Sequence, residues 1–168
     1  MNREEQREQL ERLMEEYGTS LLRMCAVYLR DREQAQDAVQ ETFIKAYRHM
    51  NYFRGECSEK SWLTGIAINT CRDYRRSAWF RHVDRRVQME QLPETPAPDA
   101  FRDHTVLAEV NRLPKQCREV ILLRYYQGLK LKETADALKI STSAVKQRIN
   151  RANAMLRERL KEWYFDEE

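Results

Sequence analysis

The chain has 168 residues, 42% hydrophobic and 34% charged, with only four glycines, four prolines and a formal net charge of +3. That length holds one medium domain or two small ones, and the composition excludes fibrous, collagen-like and low-complexity architectures. No run of about 18 apolar residues occurs, and the charged start MNREEQREQLERLMEE is unlike a signal peptide, so a cytoplasmic protein is expected.

In chain order, Leu10, Leu13, Met14, Tyr17, Leu21, Cys25 and Tyr28 recur at helical spacing and predict a long amphipathic first helix. Asp31 is placed to cap a second helix, with Ala35, Ala38, Val39, Thr42 and Ala46 on its inner side. Asp37, Gln40, Glu41, Ile44 and Arg48 then point outward, with Phe43 and Tyr47 at the edges. Two acids and an amide around an apolar centre suit a protein partner better than a phosphate backbone, although a lone surface isoleucine is also common. After a connection through Asn51 to Gly55, Ser58 caps a third helix carrying Leu63, Ile66, Ala67, Thr70 and Tyr74 inward. Trp62 is expected in the core, and Asn69, amid apolar neighbours, is expected to need a hydrogen-bond partner.

From Val87 to Asp103 the apolar period is lost and Pro93, Pro96 and Pro98 fall within six residues, which reads as a linker. The expected division is therefore a domain over 1–80, a linker over 81–104 and a second domain over 105–168. Helical spacing resumes with Val106 to Leu113. Pro114 then opens a helix running to Tyr126, ended by Gly128. A short helix, a tight turn at Lys139 to Ser141 and a longer helix capped by Ser141 form a helix-turn-helix candidate. No alternating strand pattern is found, so the fold class expected is all-α.

The modest total charge hides two basic segments. Arg72 to Arg86 carries a balance of +4, as does Thr142 to Leu160, against −3 in both Met1 to Glu16 and Glu90 to Asp103. One basic run is usually a solvated helix face; two, each on the last helix of its own domain, point to nucleic acid. On the last helix Val145, Ile149, Ala152, Leu156 and Leu160 face inward. Opposite them Ser143, Lys146, Gln147, Asn150 and Arg151, flanked by Arg148, present donors for guanine, amides for adenine and charge for phosphate, as a major-groove reader requires. Between the second and third helices, aromatics beside arginines around a glycine turn suit stacking on unpaired bases.

No catalytic site is expected. There is no glycine-rich phosphate loop, nucleophile elbow or HExxH, and Cys25, Cys57, Cys71 and Cys117 lie too far apart for a zinc ribbon. No metal or cofactor is expected. A metal enzyme built on Cys57, Cys71 and a histidine is disfavoured by its irregular spacing.

The segments DAVQETFIKAYRHMNYFRGECSEKSWLTGIAINTCRDYRR and LPKQCREVILLRYYQGLKLKETADALKISTSAVKQRINRANAMLRERL resemble, in this order, the second and fourth regions of the extracytoplasmic-function group of sigma-70-type bacterial sigma factors. The resemblance implies that Asp37, Gln40, Glu41, Phe43 and Ile44 dock on the clamp helices of core RNA polymerase. It implies that the loop Phe53 to Lys60, with Arg54 and Gly55, captures a flipped base of the promoter's minus-ten element. Asn69 would contact that element, and Arg72, Arg75 and Arg76 would meet its duplex and backbone. Ser143, Lys146, Gln147, Arg148, Asn150 and Arg151 would read the minus-thirty-five element. The acidic linker would thread polymerase toward its active cleft. A second implied partner is an anti-sigma factor, often membrane-bound. Where the family often has a long residue and arginine after its SWL, this chain has Thr64 and Gly65. The rival reading is a stand-alone helix-turn-helix regulator binding duplex DNA as a dimer.

Overall fold

The computed structural model describes residues 1–77 and 104–165, all helix, turn or short connection, with no strand among them. The chain divides into two compact helical units, Met1–Thr95 and Pro96–Glu168. The expected linker, and Trp79 and Phe80 before it, lie outside the described residues.

The first unit is a three-helix bundle of α1 (Arg3–Leu29), α2 (Arg32–His49) and α3 (Glu59–Arg76), with a 3-10 turn at Met50–Tyr52. Local chemistry starts each helix. The Asn2 carboxamide accepts from Glu5 N at 2.8 Å while the Glu5 carboxylate accepts from Asn2 N at 3.0 Å, a reciprocal capping box. Asp31 Oδ1 accepts from Gln34 N and Ser58 Oγ from Ser61 N, each at 3.0 Å. Only Arg30 and Asp31 separate α1 from α2, and Arg30 takes the left-handed conformation that stops α1 (φ 58°). The two helices are therefore antiparallel neighbours.

Leu13, Leu21, Met24, Tyr28, Leu63 and Ile68 are fully buried at the centre, each contributing about 1.5–3 kcal/mol. The alanines of α2, at 35, 38 and 46, are wholly buried too, so the helices approach closely. The expected inner stripe of α1 proves wider than this core: Leu10 is half-buried and Met14 is 48% exposed, while Val39 of α2 is half-buried. Arg12 ties α1 to the start of α3 through Glu59, and also pairs with Glu16 at 2.9 Å.

The second unit comprises α4 (His104–Arg112), α5 (Lys115–Ile121), α6 (Leu131–Leu138) and α7 (Thr142–Phe165) around Leu107, Val110, Val120, Leu123, Leu138 and Val145. Pro114 stands one position earlier than expected. It is the residue before α5, in extended conformation (ψ 148°), and Arg118 N bonds to its carbonyl. The helix predicted to reach Tyr126 changes character at Leu122. Leu122–Tyr126 is wound as a π-helix, and Gln127 N bonds to Leu122 O at 2.9 Å. Arg124 Nη1 donates to Leu129 O at 2.8 Å across the following turn, where Gly128 supplies φ 70°. The turn between α6 and α7 uses no glycine; Lys139 itself is left-handed (φ 56°), and Ser141 Oγ accepts from Ala144 N at 3.1 Å.

Candidate functional site and nucleic-acid interfaces

The outer side of α2 divides in two. Asp37 and Gln40 are exposed and Ile44 is 46% exposed, as the sequence pattern requires. Glu41 is half-buried and turned toward α3: Lys45 Nζ lies 3.2 Å from its Oε1 and donates to Thr70 Oγ1 at 3.1 Å. Burial first, and then the carboxylates of Glu41 and Asp37, raise the Tyr74 phenol above its ordinary pKa of 10.0. Phe43, expected at an edge, is only 6% exposed. It lies in the wall of an apolar groove between α1 and α2, with Leu10, Met14 and Leu22 on one side and Val39 and Ile44 on the other. The groove has a volume of about 740 Å³. Gly18 lines it, and a Cβ added there would meet nothing within 4 Å. Glycine in a helix interior costs about 1 kcal/mol relative to alanine, and nothing within this unit requires it at this position. Sequence reasoning overlooked Gly18, because its signal is a missing side chain beside a second helix.

A second cleft, of about 350 Å³, opens on the loop before α3 and is lined by Tyr52, Phe53, Arg54, Glu56, Cys57 and Trp62. Trp62 is not in the core. It is half-buried and stacks on Phe53, with ring centroids 4.6 Å apart and planes 20° from parallel. Tyr52, which sequence reasoning did not single out, is 77% exposed at the rim. Arg54 is exposed and Lys60 half-buried, and Gly55 makes the bend with φ 74°. A cleft of this size with aromatic walls and a guanidinium can take a small planar ligand.

The basic end of α3 is engaged internally. Asn69 is exposed, and the hydrogen-bond partner expected for it is Arg72, whose Nη1 donates to its Oδ1 at 3.1 Å. Arg75 lies over the ring of buried Tyr28, 5.4 Å from its centroid, and Arg76 pairs with Asp73 at 3.7 Å. On α7 the expected division holds: Val145 and Ala152 are buried, with Ile149, Leu156 and Leu160 half-buried. Ser143, Lys146, Gln147, Asn150 and Arg151 are exposed, and Arg148 is half-buried at the flank. This exposed face has no acid before Glu158.

No disulfide joins any of the four cysteines. Among the described residues no group of histidines, cysteines and acids could hold a metal ion, and no helix is long and apolar enough to cross a membrane.

An all-α bundle followed by a helix-turn-helix unit with a basic, amide-rich second helix defines a class of protein that reads DNA. The family models for sigma-70 region 2 and sigma-70 region 4 match residues 13–81 and 104–156 respectively. The chain is 31% identical over 154 residues to the RNA polymerase sigma-H factor of Pseudomonas aeruginosa, covering 83% of this chain and 80% of that one. It is 33% identical over 156 residues to the ECF RNA polymerase sigma factor SigL of Mycobacterium tuberculosis, covering 89% and 88%. Among solved structures it is similar to CnrH in complex with the cytosolic domain of CnrY, with a TM-score of 0.69, 27% identity and coverage of 91% and 88%. It also shares the fold of the sigma factor RpoE bound to the anti-sigma factor NepR from Bartonella quintana, with a TM-score of 0.63, 24% identity and coverage of 90% and 98%. The chain belongs to the extracytoplasmic-function group of the sigma-70 family. It is an alternative sigma factor, which directs RNA polymerase to promoters, and the stand-alone regulator reading is not favoured.

Proposed function

We propose that the two units divide initiation between them in the cytoplasm, without catalysing any step. Asp37, Gln40 and Ile44 contact core polymerase, while Phe43 from beneath and Glu41 from the side hold α2 in shape. The cleft at Phe53 to Lys60 takes a base flipped from the non-template strand of the minus-ten element, and Asn69, Arg72, Arg75 and Arg76 meet the adjoining DNA. A pocket that binds only the flipped base favours the melted promoter by its affinity for that state, about 1–3 kcal/mol for one stacked base. Ser143, Lys146, Gln147, Arg148, Asn150 and Arg151 read the minus-thirty-five element. The domain limits that fit this division are 1–80 and 105–168, joined by the acidic linker. A second protein partner is an anti-sigma factor, which would hold the chain at the membrane where it is itself membrane-bound; the relative CnrH, solved with the cytosolic domain of CnrY, supports such a regulator.

The observation that carries this reading is the exposed, acid-free face of α7 from Ser143 to Arg151, set against its buried Val145 and Ala152. It is tested by transcription from a promoter library with sigma-free core polymerase. Initiation from a defined set of two-element promoters, dependent on this chain, is expected. Absence of promoter-specific initiation where a control sigma factor works would sink it.

A further inference from the structure

The cleft at Phe53 to Lys60 is built on the first turn of α3, and that turn is held from two directions. Within α3, Ser58 Oγ accepts from Ser61 N at 3.0 Å and Trp62 N bonds to Ser58 O at 2.9 Å, so the cap and Trp62 move together. From outside, Arg12 of α1 reaches 47 positions along the chain to the carboxylate of Glu59, the first residue of α3. A bridge on the surface of a bundle is commonly a solvated contact without consequence, because two long side chains must be ordered to make it. Two observations set this one apart. The Arg12 guanidinium is committed at every nitrogen: Nε donates to Gln9 Oε1 at 3.3 Å, Nη1 to Glu16 Oε2 at 2.9 Å and Nη2 to Glu59 Oε2. Gln9 and Glu16, about one turn to either side on α1, therefore aim the planar fork before it crosses to α3. Its proton is held more tightly than in an ordinary arginine, chiefly through the bond to Glu59. The second observation is where the bridge lands. Glu59 stands one residue after the cap and three before Trp62, whose ring carries that of Phe53. Phe53 N bonds to Met50 O at 3.3 Å, beyond the usual length, so the Phe53 ring depends on Trp62 for its place.

We infer that Arg12 is a positioning residue for base capture. By pinning Glu59 it fixes the first turn of α3, and with it the Trp62 ring on which Phe53 rests, in the geometry that receives the displaced base. It acts through Glu59 and Trp62 without touching DNA. Nor does it belong to the surface assigned to polymerase: Arg12 stands two residues from Leu10 and from Met14, about 200° round α1 from each, and so faces away from the groove that those two line. The first helix thereby contributes to promoter melting from the far side of the bundle. The inference rests on the reading of the cleft as the site of the flipped base.

The experiment uses holoenzyme assembled from the full chain and core polymerase, with a fork-junction promoter DNA taken from the library screen, whose non-template minus-ten strand is unpaired. A matching fork carries an abasic site at the captured position, located by moving the abasic site along that strand. The readout is the ratio of the two affinities, in which general changes of charge and DNA contact cancel. The unaltered chain is expected to favour the intact fork by at least about fivefold. Arg12→Ala and Glu59→Ala are each expected to cut that ratio by about two- to fivefold, the range open to a bridge this exposed, with affinity for core polymerase unchanged. The double variant is expected to fall no further than either single one, because the two side chains act as a unit. The Tm of each variant is recorded, and Glu59→Ala keeps the readout available where Arg12→Ala destabilises the chain. The positioning role is overturned where the ratio in both single variants equals that of the unaltered chain, both forks weakening alike or not at all, since the bridge is then purely structural. It is equally overturned where the losses of the two variants add. If no abasic position weakens binding by the unaltered holoenzyme, the flipped-base reading of the cleft fails, and the inference with it.

Discussion

The basic side chains of α3 and those of α7 are assigned to the two promoter elements, yet they stand in opposite states before any DNA arrives. At the end of α3, Arg72 is bonded to Asn69, Arg75 lies on Tyr28 and Arg76 pairs with Asp73. On α7, none of Lys146, Gln147, Asn150 and Arg151 is hydrogen-bonded or ion-paired to a described residue. Ordering a long side chain on binding costs about 0.5–1.5 kcal/mol. The first surface has met part of that cost in folding, before it meets the DNA beside the melted segment. The second meets it on contact and can adjust along a duplex.

Four measurements break or sharpen this contrast. The largest effect belongs to α7. Arg151→Ala or Lys146→Ala should lose about 1–3 kcal/mol of binding to a promoter bearing the upstream element, measured as holoenzyme affinity, with Tm unchanged. A fall in Tm would show that these residues have an internal role after all. Next comes the bundle interior, where Gln34 is 3% exposed and neither its Oε1 nor its Nε2 has a partner among the described residues. Gln34→Met should raise stability by about 1 kcal/mol in a urea titration, because an unsatisfied buried amide is costly. Arg75→Met should do the reverse of Arg151→Ala, lowering stability by about 0.5–1 kcal/mol through loss of the contact with Tyr28 while affecting DNA less than Arg72→Ala does. Equal effects of the two on DNA would make Arg75 an ordinary DNA contact.

The smallest effect is one of pH. The Tyr74 phenol is raised above 10.0, so the folded state holds its proton more tightly than the unfolded state. The stability this represents is complete below about pH 10 and is lost as pH rises through the elevated folded value. Tyr74→Phe should make stability less steep in pH above 10 and leave it unaltered near 7. An identical slope would assign the alkaline loss elsewhere, Tyr17 being the other candidate raised by burial.

The sequence discloses what depends on neighbours along the chain. Asp31, Ser58 and Ser141 are legible as caps because a short oxygen-bearing side chain meets an amide three residues on, with no tertiary information needed. The inward stripe of α7 is legible from its period. What misleads is apolarity without a known partner. Trp62 looks like core because it sits in the first turn of a helix at the base of the bundle, but Phe53 across the loop takes its ring. Leu10 and Met14 continue the inward stripe of α1 and yet form the wall of a groove, because α2 covers only part of that stripe. Asn69 stands amid apolar neighbours, and a one-residue difference in helical phase from buried Thr70 puts it in solvent. Arg75 over Tyr28 is a contact across 47 positions that no local pattern encodes.

The stack of Phe53 on Trp62 has a consequence for how promoter choice could diversify. Phe53 is fastened at one end of the loop by its stack on Trp62, and Ser58 caps α3 at the other, so residues 54–57 form a segment anchored at both ends. Gly55 holds the bend at φ 74°, where a side chain would be strained, and should stay fixed. Arg54 and Glu56, both exposed, can then vary as an interchangeable pair. A designer could exchange these two positions to build mutually orthogonal initiation factors on one scaffold, leaving the bundle and the upstream reader untouched.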